Sequence, residues 1–303
     1  MEELTYQSSF DGHIIKALYY PLDQPKARVV MIHGMAEHQR RYAELAIALN
    51  RAGYEVLTVD QRGHGLSLYD GTVKGFFAET DGWHRNVEDI YAIIQDLNHQ
   101  KPLKLALFGH SMGTLVARSY LRRHGETLSA LYLSGSPDEG PNAAVGTILA
   151  KVIKTLFGKR YPSTLMHKLA FSAYAASVPQ SETDLDWLSR NPENVQAYIA
   201  DPLCGFKFTA QGYIDLAEGF REVYHEAEWP VHNPDLPIRF ESGEFDPCFK
   251  PHGLERSVQR LKDVGYRNVN HAYIPECRHE IYNDVRKKEL TKLLITWLNH
   301  VMK

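Results

Sequence analysis

Residues 103–118, LKLALFGHSMGTLVAR, hold the feature that most restricts what this chain can become. The apolar run 103–108 reads as a buried strand, a helical pattern opens at Thr114, and Gly109-His110-Ser111-Met112-Gly113 joins the two. A serine at so sharp a strand-to-helix turn takes strained backbone angles, and the turn closes only if the residues two before and two after it are small. Gly109 and Gly113 meet that condition. The turn lifts the Ser111 hydroxyl above the sheet edge and leaves the Met112 N–H at a helix start, where developing negative charge is favoured. Ser111 is thereby a candidate nucleophile for a carbonyl carbon. A five-residue pattern also arises by chance, so the reading depends on partners elsewhere in the chain.

The order of elements around this turn sets the fold class. Residues 4–9 and 13–20 read as an antiparallel hairpin around Asp11-Gly12. Strand patterns at 27–32 and 55–59 flank a helix at 41–51 closed by Gly53, and an amphipathic helix at 86–98 leads to the serine turn. A strand at 130–134 follows, and the alternation then breaks. Between 137 and 237 the patterns are helical, at 145–157, 165–177, 192–199 and 209–223, before strands at 238–244 and 269–274 and helices at 254–262 and 285–301 restore it. The expected fold class is α/β, a mainly parallel sheet flanked by helices, with 1–136 and 237–303 forming the core and 137–236 an inserted helical cap.

A serine hydroxyl needs an imidazole to accept its proton and a carboxylate to orient that imidazole, both from loops at strand ends. The strand ending at 244 runs into Glu244-Phe245-Asp246-Pro247 and the last strand into Glu276-Cys277-Arg278-His279. Asp246 and His279 are the expected acid and base; Pro247 suits a turn directly after the strand, which favours Asp246 over Glu244. His271 and His252 fall at a strand start and a helix start instead. The strand at 27–32 enters His33-Gly34-Met35-Ala36-Glu37-His38, so the Met35 and Met112 backbone N–H groups are the expected oxyanion donors. His33 and His38 lie five apart with no further ligand cluster nearby, which argues against a metal pair. Gly63-x-Gly65 lacks a third glycine and a following helix, so a phosphate cradle is not expected.

Several classes fall away on composition. With 34 Lys and Arg against 37 Asp and Glu, the net charge of −3 gives no general attraction to nucleic acid. Cys204, Cys248 and Cys277 are too few and too scattered for a disulfide framework or a cysteine-rich zinc site. The first ten residues carry neither a basic nor an apolar leader region, and a cytoplasmic location is the expectation.

Taken together, His33-Gly34-x-x-Glu37-His38 with Arg41-Tyr42, Asp60-x-x-Gly63-His64-Gly65-x-Ser67, the Ser111 turn, and Gly243-x-x-Asp246 with His279 resemble the monoacylglycerol lipase and lysophospholipase branch of the α/β-hydrolases. Some classifications file this group with the serine aminopeptidases. The cap segment 198–203, YIADPL, is also similar to bacterial lysophospholipase-like members. The resemblance implies an α/β-hydrolase fold and a serine hydrolase acting on single-chain lipid esters, with no metal or organic cofactor. The alternatives are an amidase, aminopeptidase or thioesterase using the same groups, or a ligand receptor built on the fold. A peptidase reading a free amino terminus would draw on cap carboxylates such as Glu182, Asp184 and Asp186, which also read as a solvated helix start. Ile148, Leu149, Val152, Ile153, Leu156 and Phe157 form an expected apolar face between lysines, and Phe171, Tyr174, Phe206, Phe208, Tyr213 and Phe220 are bulky cap residues suited to an acyl chain. An apolar outer face would allow peripheral contact with a micelle or bilayer.

Overall fold

A computed structural model describes residues 1–138, 143–249 and 252–303. Its centre is an eight-stranded sheet in the order β1 (Glu2–Gln7), β2 (Ile14–Tyr20), β4 (Glu55–Asp60), β3 (Arg28–Ile32), β5 (Leu105–His110), β6 (Ala130–Ser134), β7 (Ile238–Gly243) and β8 (Val269–Ile274). The first two strands pair antiparallel with each other and with β4, and all later pairings are parallel. Parallel strands need helical crossovers, and those crossovers cover both faces of the sheet.

Strand alternation divides the core in two. Val30 and Ile32 face α2 (Gly82–Gln100) and α3 (Met112–His124), whereas Val29 and Met31 face α1 (Ala43–Arg51) and α9 (Lys287–Val301). All five residues of β3 are buried, the signature of a strand covered on both sides. Where the strands begin, Arg28 and Glu55 form a fully buried ion pair at 2.6 Å.

The expected elements are present within a few residues of their sequence positions, with α8 at Gly253–Asp263. Between β6 and β7 the described residues form α4 (Ala143–Phe157), α5 (Thr164–Ala176), α6 (Pro192–Ala200) and α7 (Ala210–His225). The expected 137–236 insertion also includes 139–142, which lie outside the described residues. It is not one uniform layer. Gly219 of α7 sits against the Trp83 ring of α2, and Tyr224 of α7 stacks under the Arg118 guanidinium of α3 at 4.7 Å. That helix is therefore part of the wall over the sheet, and α4 lies against it.

The single apolar face expected on α4 is divided by the packing. Ala150 and Ile153 are buried, while Ile148, Val152, Leu156 and Phe157 are exposed. A helix apolar over most of its circumference fills one stripe with core and leaves the rest uncovered. Among the bulky cap residues, Phe208 and Tyr213 are buried in the main core, and Phe171 lines the cavity described next.

Candidate active site

Ser111 sits between β5 and α3 with φ 52° and ψ −121°, a conformation that costs a non-glycine residue of order 1–3 kcal/mol. Its surroundings fix it there. The Ser111 N–H donates to Ser134 O at 2.9 Å, and Thr114 donates to the Ser111 carbonyl from N–H at 2.8 Å and from Oγ1 at 2.7 Å. The tightness expected of the turn is present: a Cβ on Gly109 would strike the Gly113 carbonyl, and one on Gly113 would strike the carbonyl oxygens of Ile32 and His33. Met112 opens α3, so its N–H has no acceptor within the helix.

Asp246 and His279 come from the loops after β7 and β8, and His279 Nδ1 lies 2.9 Å from Asp246 Oδ2 with both side chains buried. Glu244, the competing carboxylate, is exposed, as is His252. Burial alone would lower the His279 pKa, but the Asp246 carboxylate at hydrogen-bond distance, with Glu280 and Glu37 beyond it, raises it. The His110 ring lies tilted against His279, 4.8 Å between ring centres and 52° between planes; burial and the neighbouring His279 push His110 down to about 4. At neutral pH His110 stays neutral, whereas His279 is the imidazole whose cation its neighbours stabilise.

Ser111, His279 and Met35 line one cavity of about 870 Å³, whose other walls include Phe171, Leu185 and Trp187. That volume lies within the ordinary range for small-molecule sites. Among the described residues no hydrogen bond joins Ser111 to His279; the Nε2 atom has the Cys248 thiol 3.9 Å away. Such bonds are commonly loose before substrate binds and tighten with it. Burial and then the Asp246 charge raise the Cys248 pKa well above the ordinary thiol value, so the sulfur stays protonated. Cys277 is likewise buried.

The loop 33–38 is pinned along its length. Gly34 N–H donates to Glu37 Oε1 at 2.5 Å and Ala36 N–H to His64 Nε2 at 3.2 Å. Tyr42 Oη donates to Glu37 Oε1 at 2.8 Å, and Arg41 Nη1 pairs with both Glu37 and Glu280 at 2.6 Å. Burial opposes charge on Glu37, yet the Arg41 guanidinium and the other donors hold its carboxyl below the usual range. Farther along the chain, Asn194 Nδ2 donates to Glu280 Oε2 at 2.7 Å. Glu37, Arg41 and His64 belong to motifs the sequence displays, but their joint role in tying the Met35 loop to the His279 loop was not readable there. Glu37 and Arg41 are four apart, and that spacing was the available signal.

Among the described residues two groups of side chains stand close enough to hold a metal ion, His38 with Asp201 and Cys204, and Asp246 with Cys248 and His279. In the first, His38 Nε2 already lies 2.9 Å from Asp201 Oδ2; in the second, the carboxylate and imidazole are partnered as described. His33 is separate from both, its Nε2 accepting from Gln61 N–H at 3.1 Å. Asp186 is engaged within its own loop, accepting from Glu182 N–H and Thr183 Oγ1, while Asp184 stands exposed at the cavity rim. Among the described residues no helix is long and apolar enough to cross a membrane.

The sequence profile of a family described as Serine aminopeptidase, S33, matches residues 23–286. The chain is 27% identical to a monoacylglycerol lipase of Mycolicibacterium smegmatis, with 96% of each chain covered. It is 28% identical to a human monoglyceride lipase, covering 94% of this chain and 89% of the other. A crystal structure of a thermostable carboxyl esterase from Bacillus coagulans in complex with glycerol superimposes with a TM-score of 0.89 at 27% identity, covering 100% of this chain and 99% of that one.

Proposed function

The chain belongs to the Serine aminopeptidase, S33, family and has the α/β-hydrolase fold, and from that premise we propose that it is a serine carboxylic ester hydrolase acting on single-chain lipid esters of the monoacylglycerol type. The observation that carries the reading is the shared cavity. One wall holds Ser111, His279 and the Met35 backbone, and another presents the apolar surfaces of α5 and its following loop.

In the proposed reaction His279 Nε2 takes the Ser111 proton as Oγ attacks the ester carbonyl, and Asp246 holds the imidazole by Nδ1 and stabilises its cation. Rotation of the Ser111 hydroxyl toward Nε2 completes the proton path when substrate enters. The Met35 and Met112 N–H groups receive the oxyanion. Collapse of the tetrahedral species breaks the ester C–O bond, the alcohol leaves with the proton from His279, and water attacks the acyl-enzyme by the same steps. Residues 137–236 are proposed to act as the cap over this chemistry.

The pairing of the cavity's buried carboxylates supports a neutral head group, with Lys168 and Asp184 exposed among its other lining residues. The buried pair, Glu37 and Glu280, are both engaged by Arg41, which leaves neither to receive the ammonium of a peptide amino terminus. This supports a glyceryl ester over an aminoacyl amide. The test is hydrolysis of a medium-chain monoacylglycerol beside a lysophospholipid and an aminoacyl amide, with Ser111→Ala as control. Turnover of the monoacylglycerol that Ser111→Ala abolishes is expected; full esterase activity in Ser111→Ala would overturn the assignment.

A further inference from the structure

Ala36 has φ 54°, a left-handed conformation that an alanine does not adopt without external support. That support comes from both sides. Its N–H is held by His64 Nε2 at 3.2 Å, and its carbonyl accepts two hydrogen bonds, from Tyr198 Oη at 2.8 Å and from Gly205 N–H at 2.9 Å. Tyr198 lies on α6 and Gly205 in the loop beyond it, so both donors to the carbonyl come from the helical insertion. Tyr198 is buried, its ring lies 4.8 Å from the Arg41 guanidinium, and the Ala36 carbonyl is where its hydroxyl proton goes.

The arrangement decides which amide faces the cavity. Of three consecutive N–H groups, Gly34 donates to Glu37 and Ala36 to His64. The Met35 N–H between them has no acceptor among the described residues. We propose that Tyr198 is a positioning residue for the oxyanion hole, its hydroxyl holding Ala36 in the left-handed conformation and thereby keeping the Met35 N–H aimed at the substrate carbonyl oxygen. The inference rests on the ester-hydrolase reading above.

It follows that the 192–205 segment is fixed to the catalytic floor. Asn194 bonds to Arg41 and Glu280, and His38 pairs with Asp201, so this part of the insertion is tied at several points to the loops beneath it. Lifting it would release Ala36 and dismantle the hole. On this reading substrate enters past α5, whose side chains line the cavity, and the 192–205 segment remains closed during turnover.

The test is Tyr198→Phe, which keeps the ring and deletes one donor. Active sites are counted by titration with a fluorophosphonate, and turnover of a p-nitrophenyl butyrate ester is followed per titrated site. The expected result is a loss in kcat of about tenfold, the usual effect of one hydrogen bond supporting a transition-state donor, with KM within about twofold. The pH profile should keep its position, because His279 is untouched. Affinity for a trifluoromethyl ketone, whose adduct places an oxyanion in the hole, should fall by the same factor. Ala36→Gly added to Tyr198→Phe should restore most of kcat, since glycine takes a positive φ without strain. A kcat per site within about twofold of the parent, or a loss that the ketone does not share and Ala36→Gly does not repair, overturns the inference. An inactive Ser111→Ala beside an unaffected Tyr198→Phe sinks this inference alone; a fully active Ser111→Ala removes the ester-hydrolase reading and this one with it.

Discussion

Arg41 holds Glu280 with two guanidinium nitrogens, Nη1 on Oε1 at 2.6 Å and Nη2 on Oε2 at 2.7 Å, and Glu280 is the chain neighbour of His279. The same Nη1 reaches Glu37 Oε2 at 2.6 Å, so one side chain bridges the loop carrying Met35 and the loop carrying the imidazole. Replacing Arg41 by Met would leave two buried carboxylates without a counter-charge. The expected loss of stability is about 3–5 kcal/mol, read as a lower urea midpoint. Arg41→Lys should recover only part of it, because an ammonium cannot match the planar two-pronged geometry. Equal midpoints for the parent and Arg41→Met would show the bridge to be energetically idle.

The pH dependence has a definite sign. His279 must be neutral to accept a proton, and its pKa is raised above the ordinary 6.5 because Asp246, aided by Glu280 and Glu37, outweighs the effect of burial. The acid limb of kcat/KM should therefore lie above 6.5, and Glu280→Gln should move it to lower pH by removing one negative charge. For stability, the raised value means the imidazolium contribution is fully present below 6.5 and is lost as pH rises through the folded-state pKa. A limb that stays in place in Glu280→Gln would contradict the electrostatic account.

Asp215 on α7 offers a separate test far from the chemistry. Burial pushes its carboxyl up to about 7, only partly countered by the hydrogen bond from Gln211 Nε2 to Oδ1 at 2.9 Å. The fold thus favours the protonated form, and that contribution fades as pH rises from 3.8 to about 7. Asp215→Asn retains an Oδ1 acceptor and removes the charge. Its melting temperature should exceed the parent's at about pH 8 by several degrees and differ little at about pH 4. A gain of the same size at both pH values would argue against a buried carboxylate as its source.

The outer stripe of α4 and the start of α5 make a different prediction. Ile148 is 63% exposed, Leu156 69% and Leu169 58%, with Lys151 exposed among them. An uncovered apolar surface of this kind suits a lipid interface. The double variant Ile148→Glu with Leu156→Glu should hydrolyse a water-soluble short-chain ester at the parental rate while losing severalfold activity on vesicle-borne monoacylglycerol. Parallel behaviour on both substrates would exclude an interfacial role for this face.

Much of the fold was legible because local pattern and global layering agree. Strand β3 is buried on both faces and reads as an unbroken apolar run, and Gly109 and Gly113 announce a close approach that the neighbouring carbonyls enforce. The candidate groups Ser111, Asp246 and His279 were visible because each follows a strand. What the chain order concealed is lateral. Nothing local to Tyr198 says that its hydroxyl meets Ala36, 162 positions earlier, and nothing in the hydrophobicity of α4 separates the stripe under Ile153 from the one above Leu156. Both depend on which surface the insertion lays down, and that is decided by long-range packing that periodicity does not encode.

The backbone of the inserted segment beside the cavity has a practical consequence. Leu188 O accepts the Glu280 N–H at 2.8 Å, and Gly205 donates to Ala36, so residues 187–205 share their frame with the loops on which the proposed chemistry depends. Helix α5 reaches the same cavity through side chains such as Phe171 and Ser172. Grafting α5 from a relative would thus recast the pocket while its chassis stays in place, whereas exchanging the whole insertion would swap the tool and the bench together.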